Sequence, residues 1–131
     1  MKKNTKIALL AASAALPMAG RLLMDGRRGH PGWDKLLDWR YAHRGLYDNE
    51  NGVPENSLAA FRLAAGAGFG AELDVHLTAD GQLAVIHDSA LKRVCGQEGK
   101  VEELTYEALS QYRLLGTEER IPLLSEVLPL F

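Results

Sequence analysis

The stretch AELDVHLTADGQLAVIHD, residues 71–88, carries two apolar-rich runs on either side of Asp80-Gly81. From Ala71 to Leu77 the residues alternate with a period of two, which is strand geometry. Leu73, Val75 and Leu77 share the face expected to meet a core, and Glu72, Asp74 and His76 share the other. Leu83 to Asp88 reads as a second strand, and Asp-Gly between two such runs signals a hairpin. With Asp80 and Gly81 as its two turn residues, the register sets Asp74 directly across from His87, with Cβ atoms about 5 Å apart. A helical crossover between parallel strands needs roughly a dozen residues, so none fits here.

Upstream, WRYAHRG at residues 39–45 is strand-like and delivers His43 and Arg44 onto a glycine. A strand that ends on chemically active side chains is what an α/β barrel places at its carboxyl-terminal rim. Asn49 to Pro54 form a loop, and Asn56 or Ser57 is the natural N-cap of an alanine-rich helix to Ala67, with Leu58, Phe61 and Ala65 at helical spacing. Gly66, Gly68 and Gly70 end it. Downstream, Thr105 caps a short helix expected through Tyr112, Ile121-Pro122 closes a loop, and Ser125 starts a last helix.

Charge divides the chain. Residues 1–40 carry eight Lys/Arg against three Asp, and residues 41–131 carry seven against fourteen acidic residues. The acidic part excludes a nucleic-acid footprint across it. A single cysteine, Cys95, excludes an internal disulfide and a cysteine-based zinc site, and reads as an inert, half-buried thiol. Lys2, Lys3 and Lys6 precede a small-apolar run from Ile7 to Gly20, the layout of a targeting or anchoring segment over residues 1–24. Cleaved signal and retained membrane anchor both stay open, as does orientation, because basic residues flank both sides. The expectation is an apolar helix outside the barrel core and a membrane-associated or exported protein. Residues 25–38, punctuated by Gly26, Gly29, Pro31 and Gly32, read as a linker.

Glu72 and Asp74, two apart on one strand face, lie about 6 to 7 Å apart at Cα and suit one hard cation, Mg²⁺ or Ca²⁺, completed by water and substrate oxygens. A solvated acidic face is the plainer reading of that pair alone. His87 opposite Asp74 adds a group able to move protons near neutral pH. His43 and Arg44 add a second such group and a two-point clamp for an anion.

The order His43-Arg44-Gly45, Pro54-Glu55-Asn56-Ser57, Glu72-Leu73-Asp74-Val75, Thr78-x-Asp80-Gly81 and His87-Asp88 resembles the glycerophosphodiester phosphodiesterase family. The resemblance continues through Leu91-x-Arg93-x-x-Gly96 and Ile121-Pro122-Leu123-Leu124-x-Glu126-Val127-Leu128. It implies a distorted (β/α)₈ TIM-type barrel and metal-dependent hydrolysis of glycerophosphodiesters to sn-glycerol 3-phosphate and an alcohol. It also implies catalytic roles for His43 and His87, phosphate binding by Arg44, and metal binding by Glu72 and Asp74. Glu55 is implied as a supporting residue that orients His43 or Arg44 or serves the first turn of its helix; Asp88 would orient His87 or its loop. His76 is a candidate substrate contact. Such a barrel takes about 250 residues, and about ninety follow Trp39. Residues 39–131 are therefore expected to be the amino-terminal part of such a domain, with the family's third metal carboxylate beyond Phe131. A lysophospholipase D or phosphatidylinositol phospholipase C type of activity is the neighbouring alternative, and a non-catalytic fragment is the alternative of a different class.

Overall fold

The computed structural model describes Gly32 and residues 39–131. The expected apolar helix over residues 1–24, and the linker apart from Gly32, lie outside the described residues. Strand β1 (Tyr41–His43) is followed by helix α1 (Leu58–Gly66) and strand β2 (Gly70–Glu72). β1 and β2 are parallel, pairing Tyr41 with Gly70, Ala42 with Ala71 and His43 with Glu72. This is a β–α–β crossover, the repeating unit of parallel α/β folds. Strands β3 (Val75–Leu77) and β4 (Leu83–Val85) form an antiparallel hairpin, and short helices α2 (Lys92–Cys95), α3 (Tyr106–Leu109) and α4 (Leu124–Val127) complete the order.

Helix α1 starts at Ser57, whose side chain accepts the Ala60 N–H; Asn56 leaves the capping role and has other work. Ala60, Phe61 and Ala64 form its buried face. The turn out of β1 explains Gly45. Its φ is +80°, and a Cβ there would lie 2.8 Å from Ala60 Cβ. The same close approach lets the Leu46 N–H donate to the Ala60 carbonyl at 3.0 Å. Only glycine meets both demands.

The expected strand from Ala71 to Leu77 is interrupted at Leu73-Asp74, where pairing passes from β1 to β4. The expected hairpin exists, but its register differs by one residue. Val75 pairs with Val85 and Leu77 with Leu83, and the Ile86 N–H donates to the Asp74 carbonyl at 2.9 Å. Ile86, not His87, therefore stands across from Asp74. The cause is the turn: three residues, Ala79-Asp80-Gly81, form the loop in place of two. Gly81 has φ +78°, its N–H donates to the Thr78 carbonyl at 3.0 Å, and Thr78 N–H donates to Gln82 O at 2.9 Å. This is a type I turn followed by a left-handed residue. Asp80 fixes it by accepting from the Thr78 hydroxyl at 2.6 Å and from the Tyr106 N–H at 3.0 Å. A slip of one residue exchanges the faces of a strand.

The core assignment changes too. Val75 and Leu77, expected inside, are exposed, whereas Ala84 and Val85 of β4 are both fully buried. Ala84 packs with Ile86, Leu91, Leu109 and Ile121 on one side, and Val85 with Phe61 and Val127 on the other. Helices thus cover both faces of β4, while β3 remains an edge among the described residues. The helix begun at Thr105 ends at Leu109 rather than Tyr112, and the last helix begins at Leu124, one residue before Ser125.

Candidate active site

The charged side chains gather where β1 and β2 end. His43 is the last residue of β1 and Glu72 the last of β2, and the parallel register makes them neighbours, with His43 Nε2 3.9 Å from Glu72 Oε2. Both are well exposed. Arg44 follows with φ +56°, a left-handed conformation that costs a non-glycine residue about 1 to 2 kcal/mol. Three contacts hold it there. Its N–H donates to Glu72 Oε2 at 3.2 Å, its carbonyl accepts the Asn56 N–H at 3.0 Å, and its side chain donates to Glu55 Oε1 at 2.9 Å. The guanidinium is only 17% exposed, and its Nε lies 3.5 Å from Asp74 Oδ2.

Asn56 is a second left-handed residue, φ +54° and 2% exposed, and its side-chain N–H donates to Asp74 Oδ2 at 3.1 Å. Asn56 Oδ1 and Arg44 Nε are buried with no hydrogen bond among the described residues. Both residues lie beside Asp74, Arg44 through its ion pair and Asn56 through its amide N–H.

Glu55, 6% exposed, is the centre of an ion network. Besides Arg44 it accepts two bonds from Arg93, Nη1 to Oε2 at 3.0 Å and Nη2 to Oε1 at 2.8 Å, and one from Asn49 at 3.2 Å. Arg93 above all, aided by Asn49 and Arg44, overcomes burial and holds the Glu55 carboxyl down at about 2. Arg93 also donates from Nε to Asp88 Oδ2 at 2.5 Å, while Asp88 Oδ1 lies 2.5 Å from His87 Nδ1. Arg93 and then His87 hold Asp88 at about 2. Asp88 is therefore ionised at neutral pH and can only accept, so Nδ1 of His87 carries the proton and Nε2 is left for a reacting group.

His76 turns away from that network. Its Nε2 faces the His87 carbonyl at 3.0 Å and its Nδ1 faces Glu102 Oε1 at 2.7 Å. Burial works against its charged form, but the His87 carbonyl, Glu102 and the charge of Asp74 outweigh it and raise the pKa. Cys95 is half-buried, and burial pushes its thiol up to about 11.

One contact path thus runs from Arg44 through Glu55, Arg93 and Asp88 to His87, while His43, Glu72 and Asp74 join it through Arg44. Glu55 touches Arg44 and does not touch His43. Arg93 and Asn49 had no assigned part in the sequence reading, and Asn56 only that of a candidate helix cap. Arg93 and Asn56 lay inside motifs already noticed, yet nothing in those motifs says which distant carboxylates they meet.

For a divalent cation, Glu72 Oε1 and Asp74 Oδ1 offer two hard oxygens that make no hydrogen bond or ion pair among the described residues. No group of three or more His, Cys, Asp and Glu residues that could cage a metal occurs among the described residues. A cation held by these two alone would take its remaining oxygens from water and substrate.

A β–α–β unit with its charged residues at the carboxyl ends of parallel strands marks an α/β protein, whose chemistry lies at that end of the sheet. Comparison with known proteins narrows this. The sequence profile of the glycerophosphoryl diester phosphodiesterase family matches residues 43–130, and the chain belongs to that family. A glycerophosphodiester phosphodiesterase of Bacillus altitudinis is 46% identical over 98 residues, 69% of this chain and 38% of the relative. A rat lysophospholipase D is 40% identical over 110 residues, 74% of this chain and 34% of the relative. An Oleispira antarctica phosphodiesterase, solved in complex with the product sn-glycerol-3-phosphate, superposes with a TM-score of 0.64 at 31% identity, over 74% of this chain and 41% of that one. The chain thus spans about two-fifths of the length of the relatives it matches.

Proposed function

We propose that the protein carrying this chain hydrolyses glycerophosphodiesters to sn-glycerol 3-phosphate and an alcohol. The observation that carries the reading is Arg44: a guanidinium fixed by its strained backbone and by Glu55, beside Asp74, with His43 and Glu72 at the same strand ends. Negative charge grows on the phosphoryl oxygens as the diester is attacked, so a preorganised cation stabilises the transition state more than the ground state. Glu72 and Asp74 would hold a divalent cation, Mg²⁺ or Ca²⁺, which when bound supplies further positive charge to those oxygens. The histidines divide the proton work. One takes a proton from water or from the glycerol hydroxyl, and the other gives one to the leaving alkoxide.

Likeness to the rat enzyme favours a second reading on one specific ground, lysophospholipase D activity on lipid phosphodiesters. The amino-terminal basic and apolar run supports a membrane-associated or exported location. Among the described residues no helix is long and apolar enough to cross a membrane. The test is release of sn-glycerol 3-phosphate from glycerophosphocholine, run beside lysophosphatidylcholine, with the full-length protein and its Arg44→Lys variant. Hydrolysis of neither substrate overturns the proposal. Membrane fractionation of the full-length protein tests the location.

A further inference from the structure

We propose that Arg93 is a positioning residue that couples the phosphate-binding and proton-transfer halves of the site, holding Arg44 through Glu55 and His87 through Asp88. This rests on the reading of Arg44 and His87 given above and adds a residue that touches neither. The geometry uses the whole guanidinium. Nη1 and Nη2 take the two oxygens of Glu55 at 3.0 and 2.8 Å, and Nε takes Asp88 Oδ2 at 2.5 Å. Each carboxylate has one oxygen turned onward, Glu55 Oε1 to Arg44 Nη1 at 2.9 Å and Asp88 Oδ1 to His87 Nδ1 at 2.5 Å.

Charges therefore alternate along the path, Arg44, Glu55, Arg93 and Asp88, which ends at the ring of His87. Arg93 spans 38 residues of sequence to reach Glu55 but only five to reach Asp88. It thus ties the loop before α1, which follows β1 of one sheet, to the segment after β4 of the other. Lysine cannot replace it, because a single ammonium cannot present the planar fork that engages both carboxylates together.

The experiment is steady-state kinetics on glycerophosphocholine with the full-length protein and the variants Arg93→Lys, Glu55→Gln, Asp88→Asn and the two doubles that combine Arg93→Lys with each. Glu55→Gln is expected to raise KM several-fold with a small change in kcat, and Asp88→Asn to lower kcat about 10-fold or more with KM little changed. Arg93→Lys is expected to do both. Each double should then be hardly worse than its worse single, since residues sharing one network are not additive. Additive losses, or an Arg93→Lys variant that folds and keeps both constants, overturn the coupling.

A readout independent of turnover is the imidazole NMR spectrum of His87, whose Nδ1–H resonance should shift in Arg93→Lys as it does in Asp88→Asn. An inactive parent whose His87 resonance still shifts removes the proposed function and leaves the coupling standing. An active parent whose His87 resonance ignores Arg93→Lys removes the coupling alone.

Discussion

The β1–α1–β2 unit and the β3–β4 hairpin each bring one histidine to the site, but by different means. The first is held by backbone: parallel pairing fixes His43 beside Glu72, and two left-handed residues, Arg44 and Gly45, turn the chain where Ala60 leaves no room for a Cβ. The second is held by side chains: Asp80 sets the loop, and Asp88 and Arg93 orient His87 beyond the end of β4. A site assembled this way joins a half set by backbone pairing to one whose alignment depends on ionised groups.

The largest expected effects ask whether both halves are needed. In the full-length protein, His43→Ala and His87→Ala should each lower turnover about 10² to 10⁴-fold, the range for loss of a general acid or base. Near-normal rates in either variant, with the fold intact, would reduce the comparison to a single working half. Glu72→Gln and Asp74→Asn should instead weaken the response to added divalent cation, with partial rescue at excess metal, read from turnover across a metal titration.

Stability separates the halves next. Gly45→Ala combines a left-handed backbone with a clash against Ala60 and should cost about 2 to 5 kcal/mol. Gly81→Ala meets no neighbouring atom and should cost only about 1 to 2 kcal/mol for its positive φ. Denaturant unfolding of both variants checks the ranking, and equal costs would erase the distinction.

The smallest effect is a pH dependence. Glu55 and Asp88 are held at about 2, below their ordinary values of 4.5 and 3.8. Such depressed carboxyls contribute stability that is present above their unfolded values and is lost as pH falls through about 2. Between about pH 4.5 and 2 the His87 segment should therefore loosen before β1 and β2 do. Amide hydrogen exchange over that range reads it, and simultaneous loss in both halves would contradict the contrast.

The same contrast accounts for what was legible in the sequence. Local signals were: Ser57 as a cap, the glycines that end α1, and the alternation that marks β2 and β3 all act within a few residues. The chemical types that gather at the candidate site could be seen as well, since His43 and Arg44 stand at the end of one predicted strand and Glu72 and Asp74 share one face of another. Register was not legible, because Asp80 answers to Tyr106, 26 residues away, and that partner chooses a three-residue loop over a two-residue one. Nor was the burial of β4, which depends on Phe61, Ile121 and Val127 arriving from three other segments. The partners of Arg93 were hidden for the same reason, Glu55 lying 38 residues back.

Asn56 shows how narrow the choice of residue becomes at such a site. Its backbone is left-handed, its side chain is buried, and its amide donates to Asp74. Glycine accepts that backbone but brings no donor, aspartate accepts it but sets a second carboxylate against Asp74, and glutamine brings the donor without tolerating the backbone. Drift at this position has almost nowhere to go. Across descendants of this gene the Asn56 codon is expected to change mainly by silent substitution, while exposed neighbours such as Glu50 vary freely.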